Sequence, residues 1–168
     1  ISGANRGIGR AIAERLATDG WRLSLGLRRP DTLAALPGEV LAEAYDAADP
    51  AAPGRWVAAT LARFGRIDAV VANAGILRPS AIPGADPAEV EAMWRINALG
   101  PLLLVQAAWE ALKAGGAGRF VAIASLSGKR TTGPNVGYAM SKFALVGLAN
   151  QVKRDGWPHG IRATAICP

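Results

Sequence analysis

Short apolar runs alternate with longer stretches of helical periodicity along this chain of 168 residues. Leu23, Leu25 and Leu27 alternate with other residues as in a β-strand. Ile12 and Leu16 stand about one helical turn apart, which places both on one face of a helix. Strands that alternate with helices are typical of a parallel sheet whose two faces are covered by helices. The pattern therefore predicts a doubly wound α/β fold.

The same periodicities give approximate bounds for the elements. A first strand opens the chain and a second covers 23–27, and further strands are predicted at 40–45, 67–72, 119–124 and 161–166. Helices are predicted at 9–19, 55–64 and 137–153, and from 87 to 113. Right-handed crossovers between the parallel strands then give the strand order 3-2-1-4-5-6.

A proline lies inside the longest predicted helix. Asp86 is expected to cap this helix, with Pro87 at the first helical position and Glu89 in the first turn. Pro101 has no N–H to donate, and its ring clashes with the carbonyl one turn earlier. We therefore expect a kink near 97–101.

Charge and cysteine content narrow the classes of partner. The formal charge of +6 suits either nucleic acid or a small anionic ligand. The longest basic runs are only the pairs Arg28-Arg29 and Lys129-Arg130, which favours the small ligand. Cys167 is the single cysteine, so no internal disulfide can form and no cysteine-based zinc site is expected. No apolar run reaches the roughly 20 residues that cross a bilayer. We expect a cytoplasmic protein with no metal, membrane or nucleic-acid partner.

Three glycines fall between the first predicted strand and the first predicted helix. Backbone N–H groups and the helix dipole at such a junction attract the pyrophosphate of a dinucleotide. Gly3 can turn sharply, while Gly7 and Gly9 let phosphate and sheet approach the backbone closely. The spacing Gly-x-x-x-Gly-x-Gly differs from the commoner Gly-x-Gly-x-x-Gly. A glycine-rich turn without a ligand is the alternative.

The end of the second strand decides which dinucleotide would bind. An acidic residue there would accept hydrogen bonds from the ribose 2′-hydroxyl of NAD, but Leu27 occupies the place. Arg28 and Arg29 follow it, and Arg6 lies in the glycine loop, so guanidinium groups could converge on the 2′-phosphate of NADP. We predict NADP as the cofactor and NAD as the second choice. Solvated turn arginines are the alternative.

Tyr138 and Lys142 are four residues apart in a predicted helix, so their side chains share one face. An ammonium near a phenol in a partly desolvated cleft stabilises the phenolate, which lets a tyrosine exchange protons at neutral pH. Ser125 ends the fifth predicted strand, and ligands of open parallel sheets bind beyond such strand ends. The glycine loop, residues 73–75 and Ser125 should therefore border one cleft. Alternatively, the Ser125 hydroxyl caps its local turn, with Ser127 as a competing candidate.

Several separate motifs make the sequence resemble the short-chain dehydrogenase/reductase family, over essentially its whole length. The motifs are Ser2-Gly3-x-x-x-Gly7-x-Gly9, Ala72-Asn73-Ala74-Gly75 and Tyr138-x-x-Ser141-Lys142. They are similar to the family's Thr-Gly-x-x-x-Gly-x-Gly loop, Asn-Asn-Ala-Gly turn and catalytic Tyr-x-x-Ser-Lys. The departures are Ser2 for threonine and Ala72 for the first asparagine, which could weaken local hydrogen bonds.

The resemblance implies a Rossmann-type fold and a role for each matched residue. Tyr138 is the expected general acid or base, Ser125 orients the substrate oxygen, and Lys142 tunes Tyr138 and holds the nicotinamide ribose. Ser125 and Asn97 match the family's remaining catalytic positions, and the family counterpart of Asn97 kinks a helix and holds a water that links the lysine to solvent. Asp46 resembles the residue that contacts the adenine amino group, although it could simply be a turn residue, as could Asn73. The residues expected to bind the cofactor are Gly3, Asn5, Arg6, Gly7, Ile8, Gly9, Arg28, Asp46, Asn73, Ala74, Gly75, Tyr138, Lys142 and Pro168.

The function expected from the residues and the resemblance together is an NADP(H)-dependent oxidoreductase that interconverts an alcohol and a ketone or aldehyde. The alternative is a non-enzymatic NADP-binding redox sensor on the same fold, which would not need Ser125, Tyr138 and Lys142 together. The helix that carries residues 102–105 and the Tyr138 helix form dimers and tetramers in the family. A homodimer or homotetramer is therefore expected.

One domain is predicted over residues 1–168, because the length and an apolar content of 51% suit one core. The chain begins without methionine inside a predicted strand and stops just after another. We therefore expect a domain truncated at both ends. In the family a substrate lid and a seventh strand follow this point, so the sequence leaves the substrate open.

Overall fold

The predicted alternation of strands and helices is present. The computed structural model describes residues 1–131 and 133–168, and these contain five strands and five α-helices. The strands are β1 (Leu23–Leu27), β2 (Val40–Ala44), β3 (Ala69–Ala72), β4 (Arg119–Ile123) and β5 (Arg162–Ile166). The helices are α1 (Gly7–Thr18), α2 (Ala52–Phe64), α3 (Pro87–Trp94), α4 (Gly100–Ala114) and α5 (Val136–Gly156).

All strand pairs are parallel, and the first predicted strand is present as an isolated bridge at Ser2. β1 pairs with β2, and β4 pairs with both β3 and β5. Between the two groups, the Ser2 N–H donates to Val71 O at 3.0 Å and the Gly3 N–H donates to Gly26 O at 2.9 Å. Ser2 forms only an isolated bridge with Gly26, because Gly3 turns away with a φ of 68°. The observed pairs match the neighbours 3-2 and 4-5-6 of the predicted order.

Helices cover both faces of the sheet at β1. Successive strand residues point to opposite faces. Leu25 is fully buried and packs in a cluster with Ala13 of α1. On the other face a Cβ at Gly26 would lie 2.7 Å from the Trp56 ring of α2, so only glycine fits beneath this helix. The larger apolar cluster joins α2, α4 and α5 to β3 and β4, and Phe120 and Leu112 are fully buried in it.

The helix predicted from 87 to 113 is interrupted where the kink was expected. Asp86 caps its start by accepting from the Ala88 N–H at 2.9 Å. A π-helical turn, Arg95–Leu99, separates α3 from α4. In a continuous α-helix the Asn97 carbonyl would accept from position 101, and Pro101 has no N–H to give it. The missing donor explains the position of the interruption.

The ends of the remaining helices follow local chemistry. Gly65 ends α2 in the left-handed conformation with a φ of 73°, and its N–H donates to Leu61 O at 2.8 Å. Observed bounds differ from the predicted ones by up to three residues at either end, as at α2 and α5.

None of the helices in residues 1–131 and 133–168 is both long enough and apolar enough to span a membrane.

Candidate active site

The glycine loop wraps tightly around the start of α1. Gly3 and Gly7 have φ values of 68° and 58°, a conformation that glycine adopts without strain. Gly9 is needed for a different reason, because a Cβ there would lie 2.5 Å from Gly3 O and would also strike Asn73 Nδ2. The loop therefore needs all three glycines, two for their dihedral angles and one for close packing.

Hydrogen bonds fix the turn at residues 73–75 against this loop. The Ser2 Oγ accepts from the Asn73 N–H at 2.9 Å and from the Ala74 N–H at 3.0 Å. In return, Asn73 Nδ2 donates to Ser2 O at 2.9 Å and to Gly3 O at 3.1 Å. Ser2 thus supplies the hydroxyl that a threonine would supply. Asn73 is more than a turn former, because its side chain joins two loops.

A cavity of about 650 Å³ opens in front of the glycine loop. Ten of the predicted cofactor residues line it, namely Gly3, Asn5, Arg6, Gly7, Ile8, Arg28, Asp46, Asn73, Ala74 and Gly75. The volume falls in the range of about 300–1,000 Å³ that is typical of small-molecule sites. Four of the predicted residues do not line it, namely Gly9, Tyr138, Lys142 and Pro168. The cavity is also lined by residues that were not predicted to contact the cofactor, among them Tyr45, Ala47, Ala48, Ile76 and Ile96.

One end of the cavity is basic. Arg6, Arg28 and Arg29 are exposed and line it, and Leu27 beside them is buried. Within residues 1–131 and 133–168, no carboxylate forms an ion pair with any of these arginines. Asp46 lines the same cavity, and its Oδ1 also accepts from the Ala48 N–H at 2.9 Å, which makes it a turn residue as well.

Tyr45 forms part of the wall that the sequence did not reveal. Its ring is buried and lies 4.9 Å from the Trp56 ring, centroid to centroid. Burial, with a smaller effect from the Asp46 carboxylate, raises the pKa of Tyr45 to about 12. The Tyr45 phenol therefore stays protonated at neutral pH. Its position directly after a parallel strand was the available signal, because such strand ends border clefts.

The Lys142 ammonium reaches the end of β4. Nζ donates to Ile123 O at 2.8 Å and lies 5.5 Å from the centroid of the Tyr138 ring. A Cβ on Gly75 would be 3.6 Å from the same nitrogen, so Lys142 comes close to the cavity wall at Gly75. Only 4% of Lys142 is exposed, and this burial lowers its pKa to about 8. The amine is therefore poised to exchange a proton near neutral pH.

Ser125 follows β4 and caps the short 3₁₀ turn Leu126–Gly128. Its Oγ accepts from the Ser127 N–H at 3.2 Å, so the turn-capping alternative describes part of its role. A hydroxyl that accepts one hydrogen bond still has a proton to donate. Gly128 packs on α5, where a Cβ would lie 2.7 Å from Lys142 O. The turn thereby holds Ser125 next to the helix that carries Tyr138 and Lys142.

Pro168 belongs to this turn and not to the cavity. Its carbonyl accepts from the Leu126 N–H at 2.8 Å. Tyr138 itself is half-buried in the first turn of α5. The residues predicted for catalysis and those predicted for the nucleotide therefore lie in two adjoining groups, which meet at Gly75 and Lys142.

Asn97 connects these groups from the π-helical turn. Its side chain is fully buried, and Oδ1 accepts from the Ile76 N–H while Nδ2 donates to Ile76 O, both at 2.8 Å. Nδ2 also donates to Ser141 Oγ at 3.0 Å, and Ser141 Oγ donates to Tyr138 O at 2.8 Å. Asn97 thus ties α5 to the chain that follows β3. Ser141 was predicted only as part of a motif, whereas in the structure its hydroxyl bonds to Asn97 and to the backbone of Tyr138.

No group of three or more His, Cys, Asp or Glu side chains in the described part of the chain is arranged to hold a metal ion.

The α/β sheet, the glycine loop and the cleft beside it are together the features of a Rossmann-fold, nucleotide-binding protein. The family model for short chain dehydrogenases matches residues 1–168. This chain therefore belongs to the short-chain dehydrogenase/reductase family of oxidoreductases.

Relatives in this family include named reductases. Agropine synthesis reductase of Rhizobium rhizogenes is 42% identical over 173 residues, which cover 100% of this chain and 40% of that protein. Levodione reductase of Leifsonia aquatica is 36% identical over 178 residues, which cover 100% of this chain and 67% of that protein. This chain thus spans two fifths of the length of the first relative and two thirds of the second.

Solved structures confirm the α/β fold. A short-chain dehydrogenase from Streptomyces avermitilis matches with a TM-score of 0.95 and 30% identity, over 100% of this chain and 63% of the other. A metagenomic short-chain oxidoreductase in complex with NADP matches with a TM-score of 0.93 and 32% identity, over 100% of this chain and 80% of the other.

Proposed function

We propose that this chain is the nucleotide-binding and catalytic part of an NADP(H)-dependent oxidoreductase that interconverts an alcohol and a ketone or aldehyde. The observation that carries the proposal is the position of Lys142. Its buried Nζ lies 5.5 Å from the Tyr138 ring centroid, at the end of β4 and close to Gly75 of the cavity. This arrangement supports a catalytic pair beside a cleft whose volume suits a small-molecule ligand.

The cavity supports a dinucleotide with a 2′-phosphate. The glycine loop presents the start of α1 to the cavity, where backbone N–H groups would hold the pyrophosphate. Arg6, Arg28 and Arg29 would bind the 2′-phosphate, and Asp46 would contact the adenine. The metagenomic short-chain oxidoreductase, which has a similar structure, was solved with bound NADP, and this supports NADP as the cofactor proposed here. NAD is the second choice, since the proposed site has no carboxylate at Leu27 to bind a 2′-hydroxyl.

The chemistry would be divided between three side chains. When bound, the reduced nicotinamide supplies a hydride to the carbonyl carbon of the substrate. Tyr138 would give its proton to the carbonyl oxygen, and the Ser125 hydroxyl would hold that oxygen in place. Lys142 would stabilise the resulting phenolate through its ammonium and restore its proton, and it would also hold the nicotinamide ribose. In alcohol oxidation the proton moves in the opposite direction.

Asn97 would position the other groups. Its amide holds Ile76 and Ser141, and Ser141 in turn contacts the backbone of Tyr138. The Asn97 carbonyl lacks the α-helical donor that Pro101 cannot provide. This carbonyl could hold the water through which Lys142 exchanges protons with solvent.

The test is oxidation of NADPH by a panel of ketones and aldehydes, followed by the absorbance of the reduced nicotinamide. We expect turnover by the wild type and a fall of about 10³-fold or more in Tyr138→Phe. Calorimetry should show that the variant still binds NADP⁺, so that the fall reports on the lost proton donor. Tight NADPH binding without turnover of any carbonyl would contradict an enzyme and favour a redox sensor.

We also propose a homo-oligomer, in keeping with the family. Apolar side chains are exposed on α4 and α5, among them Leu102 with 43% of its surface exposed and Phe143 with 45%. Exposed apolar side chains on these two helices are consistent with a subunit interface there. Light scattering should therefore report a dimer or tetramer, and Phe143→Lys should yield monomers. A monomeric wild type at micromolar concentration would contradict the assembly.

A further inference from the structure

The segment between β1 and β2 has little regular structure. It carries Arg28 and Arg29 at the cavity wall, contains the short 3₁₀ turn Pro30–Thr32, and then runs irregularly to Glu39. An irregular loop of this kind depends on surrounding contacts for a fixed conformation. Contacts that the loop makes outside the cavity therefore bear on where the two arginines lie.

Arg10 of α1 makes such contacts. Its Nη1 donates to Ala34 O at 2.8 Å and its Nη2 donates to Ala35 O at 3.1 Å. Glu14 lies one turn later on the same helix and accepts from the Nε at 2.8 Å. Only 19% of the Arg10 side chain is exposed. All three nitrogens of the guanidinium are thus engaged, which a lysine could not reproduce because it has one nitrogen.

Thr32, in the segment between β1 and β2, is also hydrogen-bonded to the glycine loop. Asn5 Nδ2 donates to Thr32 Oγ1 at 2.9 Å, and Thr32 Oγ1 donates to Arg29 O at 2.8 Å. Leu33 and Leu36 pack against the apolar cluster of α1 and β1. The loop is therefore held from Thr32 to Leu36 by residues of the glycine loop, of α1 and of β1.

We propose that Arg10 is a positioning residue that sets the preference for a 2′-phosphorylated dinucleotide. The proposal rests on the proposed function and deepens it. Arg10 does not line the cavity, so it acts by holding the loop that presents Arg28 and Arg29. Without Arg10 this loop gains conformational freedom. Ordering it again costs affinity only for a ligand that uses the two arginines.

Calorimetric dissociation constants of NADP⁺ and NAD⁺ test the proposal without any carbonyl substrate. For Arg10→Gln we expect the NADP⁺ constant to rise on the order of tenfold, the effect of losing charge-assisted hydrogen bonds near the surface. The NAD⁺ constant should change by less than about twofold, because NAD⁺ has no 2′-phosphate. Arg10→Lys should be intermediate. Arg15→Gln is the matched control, since Arg15 lies on the same helix, its side chain is 77% exposed and its guanidinium pairs with Asp19 of that helix end.

Thr32→Val provides a second route to the same result. It removes the tie between Asn5 and Arg29 and leaves Arg10 intact, so it should also weaken NADP⁺ selectively. Equal weakening of both nucleotides by Arg10→Gln would overturn the proposal, and so would unchanged NADP⁺ binding. Arg28→Ala separates this failure from that of the proposed cofactor. If Arg28→Ala weakens NADP⁺ alone and Arg10→Gln does not, only the positioning role is wrong. If the wild type shows no preference for NADP⁺, the positioning role and the proposed choice of cofactor are both wrong.

Discussion

Replacing Lys142 by methionine should change how the stability of the protein depends on pH. Methionine has a similar length and no charge, so it removes the buried amine with little change in volume. It also leaves Ile123 O without the donor that now lies at 2.8 Å. The cost of this lost hydrogen bond does not change with pH, because neither the methionine side chain nor the Ile123 carbonyl titrates. The pH dependence therefore isolates the amine.

The magnitude follows from the lowered pKa. Burial takes the pKa of Lys142 from 10.5 to about 8, and the difference corresponds to about 3 kcal/mol. Between about pH 8 and about pH 10.5 the unfolded chain holds this proton and the folded protein does not. The free energy of unfolding therefore rises with pH in this window. From about pH 7 to about pH 9.5 the integrated gain is about 2 kcal/mol.

Urea unfolding of the cofactor-free protein, followed by tryptophan fluorescence at several pH values, measures this gain. We expect the stability of the wild type relative to Lys142→Met to rise by about 2 kcal/mol from about pH 7 to about pH 9.5. Lys153→Met controls for the loss of one positive charge from an exposed position on the same helix. Parallel curves for wild type and Lys142→Met would refute the buried amine, and with it the basis for its role beside Tyr138.

Three further substitutions test the glycine loop, the hydrogen bonds of Asn97 and the hydroxyl of Ser125. Gly9→Ala places a methyl group against Gly3 O, so calorimetry should detect no NADP⁺ binding and urea unfolding should show a loss of about 2 kcal/mol; wild-type binding would contradict the close packing. Asn97→Leu leaves the Ile76 amide unpaired and should cost about 3 kcal/mol in the same unfolding assay, whereas a neutral change would mean that the network is dispensable. Ser125→Ala should lower kcat for the best carbonyl about a hundredfold with NADP⁺ affinity unchanged; equal loss of both would indicate a structural role.

Hydrophobic periodicity was sufficient for most of the fold. It placed the helices within about three residues of their observed ends, because apolar spacing depends only on the local geometry of each element. The first strand is present only as a bridge at Ser2, since the turn at Gly3 follows it at once. The interruption near Pro101 was predictable because the missing N–H is a local property.

The glycine loop and its neighbours were also predictable, because the ends of parallel strands meet at one edge of the sheet. Contacts between segments that are distant in the sequence were not predictable. Asn97 binds the backbone of Ile76 and the side chain of Ser141, and nothing in the sequence specifies these partners. Arg10 looked like one of many scattered cations, yet its guanidinium binds two carbonyls of a loop more than 20 residues away. Such contacts depend on the packed geometry, which periodicity does not encode.

A crystal structure of the protein with bound NADP⁺ is the decisive experiment for the proposed site. We expect the 2′-phosphate among Arg6, Arg28 and Arg29, and the nicotinamide ribose within hydrogen-bond distance of Lys142. The Tyr138 hydroxyl should face the nicotinamide ring, with Ser125 on the same side. A nucleotide bound outside the cavity, or a Tyr138 hydroxyl that points away from the ring, would contradict the proposed site.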